Sequence, residues 1–303
     1  MQENKYRRVG VELEYNAWDK VSRSYSVNDL PHGIYNIAEL CVNALQKNVK
    51  INKWHSTNNN DTWVLKPDSS CGLELCSPPQ SIFMLKKDLQ KFFNTIKNNN
   101  IIFVDKRCSF HVHVEIQDFE YYDLVYLMES WIRLEPIFFI LTKQDRWINN
   151  YCKALCLCFE HKPKDQEYTK EIVNTVCDNK YYSLNLCNFK KKKKCTVEYR
   201  IMGNDACVDF DSAYNWTQLL LNFTNFIKAS RSRSNKITSM DFLQIDSFIE
   251  YVKGNESIEM LAWIKKRILN NFFNEQIEPS NVIWSKILKT YGTKLKEFSG
   301  ASC

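Results

Sequence analysis

A chain of 303 residues with 44% hydrophobic content can bury one large core or two closely packed ones, and it is too apolar for disorder. Charged residues make up 25% and the formal net charge is +6, too mild a bias to argue for nucleic acid. Only 7 Gly and 7 Pro exclude collagen-like and low-complexity chains, no run reaches the roughly 20 apolar residues of a membrane span, and there is no repeat of solenoid period.

The opening, Met1 to Arg8, is polar and leads straight into a strand expected over 7–15. There Val11 and Leu13 fall on one face and Glu12 and Glu14 on the other, because residues two apart share a face. A loop over 16–33 precedes an amphipathic helix around 34–48, with Ile37, Leu40, Cys41, Ala44 and Leu45 as its stripe. A turn-rich stretch, 55–61, leads to strands at 62–66 and 73–76 around a turn at Pro67–Gly72. Ser81 caps a helix whose apolar stripe runs from Ile82 to Ile96, and Asn98–Asn100 stop it. A short strand at 101–104 is followed by one at 109–116, where His111, His113 and Glu115 oppose Val112 and Val114. A long helical region covers 120–160, interrupted or kinked at Pro136. Its aromatics (Tyr121, Tyr122, Tyr126, Trp131, Phe138, Phe139) read as core. After a charged loop at 161–170, strands at 181–188 and 195–202 form a hairpin joined by Lys190–Lys194, a run read as a solvated loop. The second of these strands puts Glu198 and Arg200 opposite Val197, Tyr199 and Ile201. From about 211 the chain is helical, with apolar periodicity through 214–227, 241–252, 256–272 and 282–298.

The order is mixed α+β, with a strand-rich part over 1–210 and a helical part over 211–303 packed on the same domain. Neighbouring strands argue against a doubly wound parallel sheet, and there is no Gly-rich phosphate loop. The 12 Cys are scattered, and none has a four-ligand zinc spacing. With the polar opening, they favour free thiols in a reducing cytoplasm.

Three strands that repeat carboxylate or imidazole at a spacing of two point to one sheet with an ionic face. Glu12 and Glu14 repel each other unless a cation sits between them; the plain alternative is two exposed glutamates on an edge strand. A His-x-His pair alone suits zinc or ordinary packed histidines. Several carboxylates with one imidazole suit magnesium or manganese better. Magnesium is usually held together with substrate phosphates, which points to a nucleotide. Glu198-x-Arg200 offers a metal ligand and a planar fork for phosphate, or a simple salt bridge. Glu74 is a further candidate carboxylate.

In this order the motifs resemble the amidoligase family of ATP-dependent carboxylate–amine ligases. The matching pieces are Gly10–Tyr15, Leu65–Ser70 with Leu73–Pro79, Cys108–Val114, Arg146 with Tyr151–Cys152, Tyr182–Leu186 and Thr196–Ile201. Ser109 stands where the family often has Gly. The resemblance implies a curved, mainly antiparallel, funnel-like sheet of the glutamine synthetase type, with helices outside and ATP and metal on the inner face. It implies that Glu12, His111 and Glu198 hold one magnesium ion and Glu14 and Glu74 another, with manganese as the alternative metal. His113 and Arg200 would contact ATP phosphates, Lys66 and Arg146 phosphate or carboxylate, and Asn185 the substrate. The implied partners are ATP, a carboxylate and an amine, one of them a peptide or protein, with no membrane or nucleic acid. Two other activities compete: a phosphotransferase of the guanidino-kinase sort, and a metal-dependent hydrolase or binding module using His111 and His113.

Overall fold

The computed structural model describes residues 7–17, 34–52, 61–97, 102–156, 173–190, 195–233, 249, 252–254, 256–274 and 282–300. Outside them lie the expected 16–33 loop beyond Ala17, the turn stretch 55–60, Asn98–Asn100, the 161–170 loop, Lys191–Lys194 and most of the 241–252 helix. The chain divides into two compact units, Met1–Ile116 with Thr196–Leu221, and Gln117–Cys195 with Asn222–Cys303.

The first unit is built on a sheet. Its strands are β1 (Val9–Ala17), β2 (Val49–Ile51), β3 (Trp63–Asp68), β4 (Gly72–Cys76), β5 (Ile102–Phe103) and β6 (Ser109–Glu115). After β7 (Leu184–Asn185), which belongs to the second unit, comes β8 (Thr196–Gly203). The order β2–β3–β4–β1–β6–β8 is antiparallel at every step except β2–β3, and β5 pairs with the end of β1. The fold is therefore mixed α+β around a mostly antiparallel open sheet. The β3–β4 turn closes as its residue types demand. Asp68 Oδ1 accepts from Ser70 N at 2.7 Å and Cys71 N at 3.2 Å. Gly72 takes φ +122°, where a side chain would be strained.

One face of the sheet is apolar and sealed. Val9, Val11, Leu13, Tyr15, Trp63, Leu65, Leu73, Leu75, Phe110, Val112, Val114, Val197 and Tyr199 are all at most 1% exposed. Each such side chain contributes roughly 1.5–3 kcal/mol by leaving water. Helix α2 (Ile82–Ile96) meets this face: Phe92 packs on Tyr15, and Asp88 accepts from Trp63 Nε1 at 3.2 Å. Ser81 Oγ caps α2 by accepting from Met84 N. Helix α1 (Ile34–Leu45) ends three residues earlier than its periodicity suggests, where Gln46 turns to φ +53°.

In the second unit the helical region departs from expectation. Helix α3 (Tyr121–Ile140) runs through Pro136 and stops four residues later, far short of 160. Pro136 cannot donate to the carbonyl one turn back, and Leu141 and Thr142 then tighten onto Phe138 and Phe139. A 3-10 helix, Gln144–Ile148, follows. Trp131 stacks on Phe138 at 4.8 Å, and Phe223 contacts both rings. Tyr121 and Tyr122, expected in the core, are instead 51% and 57% exposed, because they open the helix on its outer side. The expected strand over 181–188 shrinks to β7. Asn185 Oδ1 accepts from Cys187 N, which turns the chain into a single helical turn, Cys187–Lys190. Glu135 is fully buried and accepts from Leu155 N, Cys156 N and Ser183 Oγ. The helices Ile258–Ile268 and Val282–Ser299 follow, and the unit boundary at Leu221 falls inside the helix Phe210–Arg233. No helix among the described residues is long and apolar enough to cross a membrane.

Candidate active site

Register alone gathers the ionic residues on the second face of the sheet. Residues paired across strands share a face. Glu12 pairs with His111 on one side and Cys76 on the other, Glu14 with Glu74, Glu74 with Lys66, and His113 with Glu198. Eight of the ten residues singled out in the sequence thus stand together: Glu12, Glu14, Lys66, Glu74, His111, His113, Glu198 and Arg200. Arg146 and Asn185 belong to the second unit, both buried, Arg146 in the 3-10 helix and Asn185 in β7.

The edge-strand reading of Glu12 and Glu14 fails, because β1 is flanked by β4 and β6. His111 sits at the centre. Its Nδ1 is 3.3 Å from Glu12 Oε2 and 3.6 Å from Glu198 Oε1, and its Nε2 is 3.8 Å from Glu14 Oε1. His113 Nε2 lies 3.0 Å from Glu12 Oε1. Lys66 Nζ is 2.8 Å from Glu74 Oε1, and Arg200 bonds to Glu198. Opposite His111 the pairing slips: Phe110 faces Met202 but Val112 faces Tyr199, so β8 carries one extra residue. That bulge lies beside Arg200 and breaks the alternation there. It puts Met202 on the apolar face with Phe110, a shift that strict alternation through Ile201 does not foresee.

The face holds more negative than positive charge. Among the described residues, Glu12, Glu14, Asp68, Glu74 and Glu198 face two permanent cations, Lys66 and Arg200. Burial, reinforced by Asp68, pushes the Glu14 carboxyl well above its usual range. Burial and the Glu12 charge push Glu74 up to about 7 against the pull of Lys66. Burial would raise Glu12 too, but His113 and His111 hold it well below the usual range; for Glu198, Arg200 and His113 outweigh burial and lower the carboxyl from its ordinary value. Burial and Arg200 lower His111, which leaves a neutral ring with a free lone pair.

This donor set fits a hard divalent cation. Glu12, His113 and Glu198 each bring a ligand atom within 4.8 Å of the others. Two more such groups are Glu12, Glu74 and Cys76, and Glu14, Asp68 and Cys71. Their thiols are poor ligands, because only a thiolate binds metal and both are pushed up, Cys71 by Cys108 and burial, Cys76 by burial. Cys76 instead donates to Glu74 Oε1 at 2.8 Å. What remains is carboxylate oxygen with imidazole, a donor set that can hold a divalent cation.

Sequence reasoning passed over two residues of this face. Asp68, read as a turn residue, shares its face with Lys66 two positions earlier. Ser109, read as a departure from a Gly pattern, donates through both N (2.7 Å) and Oγ (2.6 Å) to Glu14 Oε2. The spacing of two was the available signal in both cases.

A family model described as "Putative amidoligase enzyme" matches residues 5–224. No curated protein matches the chain. Among solved structures, the chain is similar to a bifunctional glutathione synthetase from Pasteurella multocida, at 8% identity and a TM-score of 0.38. That likeness covers 97% of this chain and 51% of the other, so the chain spans about half that enzyme's length. A likeness so distant carries nothing about fold or chemistry.

Proposed function

The chain belongs to the amidoligase family, and on that premise we propose that it is an ATP- and magnesium-dependent carboxylate–amine ligase. It forms an amide or isopeptide bond through an acyl phosphate, on a peptide or an amino-acid-derived compound, with a sheet of the glutamine synthetase type as its frame. The supporting observation is the excess of buried carboxylates around His111. Such an excess is costly unless divalent cations join it.

Glu12, His111 and Glu198 hold one cation in this reading, with His113 in reach of the same position, and Glu14 with Glu74 holds another. Cations held there would supply positive charge to offset the phosphates, and in the proposed reaction the γ-phosphoryl group passes from ATP to the substrate carboxylate as ADP leaves. Arg200 offers its planar fork to phosphate oxygens, and its partner Glu198 fixes the guanidinium on the bulged strand. Lys66, kept protonated by Glu74 despite burial, supplies a second fixed positive charge. The amine nitrogen then attacks the acyl carbon, phosphate leaves, and the new amide nitrogen gives up a proton. No covalent nucleophile is required of the protein. Arg146 and Asn185 are proposed as phosphate- or carboxylate-binding and substrate-binding residues. Residues 1–210 carry the chemistry and 211–303 the helical cover.

A melting experiment with magnesium and a non-hydrolysable ATP analogue tests this. A ligand that binds only the native state raises the melting point by mass action. The expected rise needs both components. No rise with both, together with stabilisation by zinc alone, would replace the ligase reading with a hydrolase.

A further inference from the structure

Both carboxylates assigned to the second cation have one oxygen already taken. Glu14 Oε2 accepts from Ser109 N at 2.7 Å and from Ser109 Oγ at 2.6 Å. Glu74 Oε1 accepts from Lys66 Nζ and from Cys76 Sγ, each at 2.8 Å. A carboxylate oxygen has two lone-pair sites, so two donors fill it. What each glutamate can still offer a ligand is its other oxygen, Glu14 Oε1 and Glu74 Oε2. Asp68, in reach of Glu14, is held in the same way: its Oδ1 accepts from Ser70 N, Ser70 Oγ and Cys71 N. The two glutamates stand directly opposite each other across β1 and β4. Glu14, Glu74, Cys76 and Ser109 are all buried, so these bonds are shielded from competing water.

One-oxygen carboxylates discriminate between hard cations. Calcium takes about six to eight oxygens and often grips a carboxylate by both of its own. Magnesium demands an octahedron, keeps several waters and needs few carboxylates. Two glutamates limited to one oxygen each suit magnesium and deny calcium the bidentate grip. We propose that the Glu14–Glu74 pair is a magnesium site that rejects calcium, and that Ser109 and Cys76 set this selectivity by occupying Glu14 Oε2 and Glu74 Oε1. Both are positioning residues, which touch the ligands and not the cation. The assignment rests on the ligase reading, which gives this pair a cation, and goes beyond it to the residues that choose which one.

The test counts manganese sites on the full chain by the loss of the free-ion EPR signal, then displaces the manganese with magnesium or with calcium. The wild type should hold two manganese ions, and at one of them calcium should be needed in large excess over magnesium. Ser109→Ala and Cys76→Ala should each cut that excess at least about tenfold and leave the other site as it was. A merely structural loss would weaken both ions alike and leave their ratio unmoved. A ratio that neither variant moves overturns the proposal, as does a wild type that yields both sites equally to calcium and magnesium; the ligase reading survives either result. Fewer than two manganese sites in the wild type removes the second cation itself, and with it that part of the ligase reading. Should Ser109→Ala fail to fold, the wild-type ratio and Cys76→Ala decide.

Discussion

At Glu74, burial and charge compete closely enough to be read by titration. Its carboxyl is pushed up to about 7 from an ordinary 4.5. Between those values the folded chain holds a proton that the unfolded chain has lost. Glu74 therefore stabilises the metal-free fold less as pH rises from about 4.5 through about 7. A bound cation needs the carboxylate, so binding must expel that proton. Magnesium titrated calorimetrically in buffers of different ionisation enthalpy should release more protons at pH 6 than at pH 8.5. Glu74→Gln should remove the difference; equal release at both pH values would refute the role. Glu12 and Glu198 behave oppositely, being held ionised by their neighbours, His113 and His111 for Glu12 and Arg200 and His113 for Glu198. Glu12→Gln and Glu198→Gln should each weaken magnesium at least about tenfold and abolish ATP turnover while keeping the melting point. Wild-type affinity in both would end the metal assignment.

Among elements, Asp88 in α2 ties the helix to the sheet. Its Oδ2 accepts from Lys47 Nζ at 2.6 Å, Gln80 Nε2 at 3.1 Å and Trp63 Nε1 at 3.2 Å. Trp63 is fully buried, so Asp88→Ala strands its N–H in the core and should cost about 2–4 kcal/mol in urea unfolding. Ser81→Ala removes only the cap and should cost about 1 kcal/mol; equal losses would refute this division. Legibility in the sequence also varies by element. β1, β6 and β8 were readable because their charges recur at the period of a strand, and cross-strand pairing makes one face of them. The β8 bulge was not, since it exists only in the register against β6. β2 has three residues, too few for a period, and is a strand only because β3 lies beside it. The segments around Leu155 and Ser183 take their course from Glu135, 20 and 48 residues away. No local pattern announces such a partner.

For the molecule as a whole, the motifs and the packing divide the chain differently. The motifs end near residue 205 and the family match at residue 224, but the second unit draws on residues up to the C-terminal helix. Past the end of α3, Arg267 Nε donates to Leu141 O at 2.7 Å and Asn271 Nδ2 to Thr142 O at 3.0 Å. Asn222 Nδ2 donates to Glu256 Oε2 at 2.7 Å. Ile264, Ile268, Phe272 and Leu295 are at most 1% exposed. A chain cut after residue 224 would leave the Leu141 and Thr142 carbonyls without these partners, at about 1–3 kcal/mol each if they stay buried. It would also lose four core side chains worth roughly 1.5–3 kcal/mol apiece. Those sums approach or exceed the 5–15 kcal/mol that holds a typical domain together. Fragment 1–224 should therefore lose the cooperative melting of the second unit and be cleaved by protease between residues 117 and 195 under conditions where the full chain resists. A fragment that melts and resists cleavage like the full chain would show that residues 225–303 are dispensable to the fold.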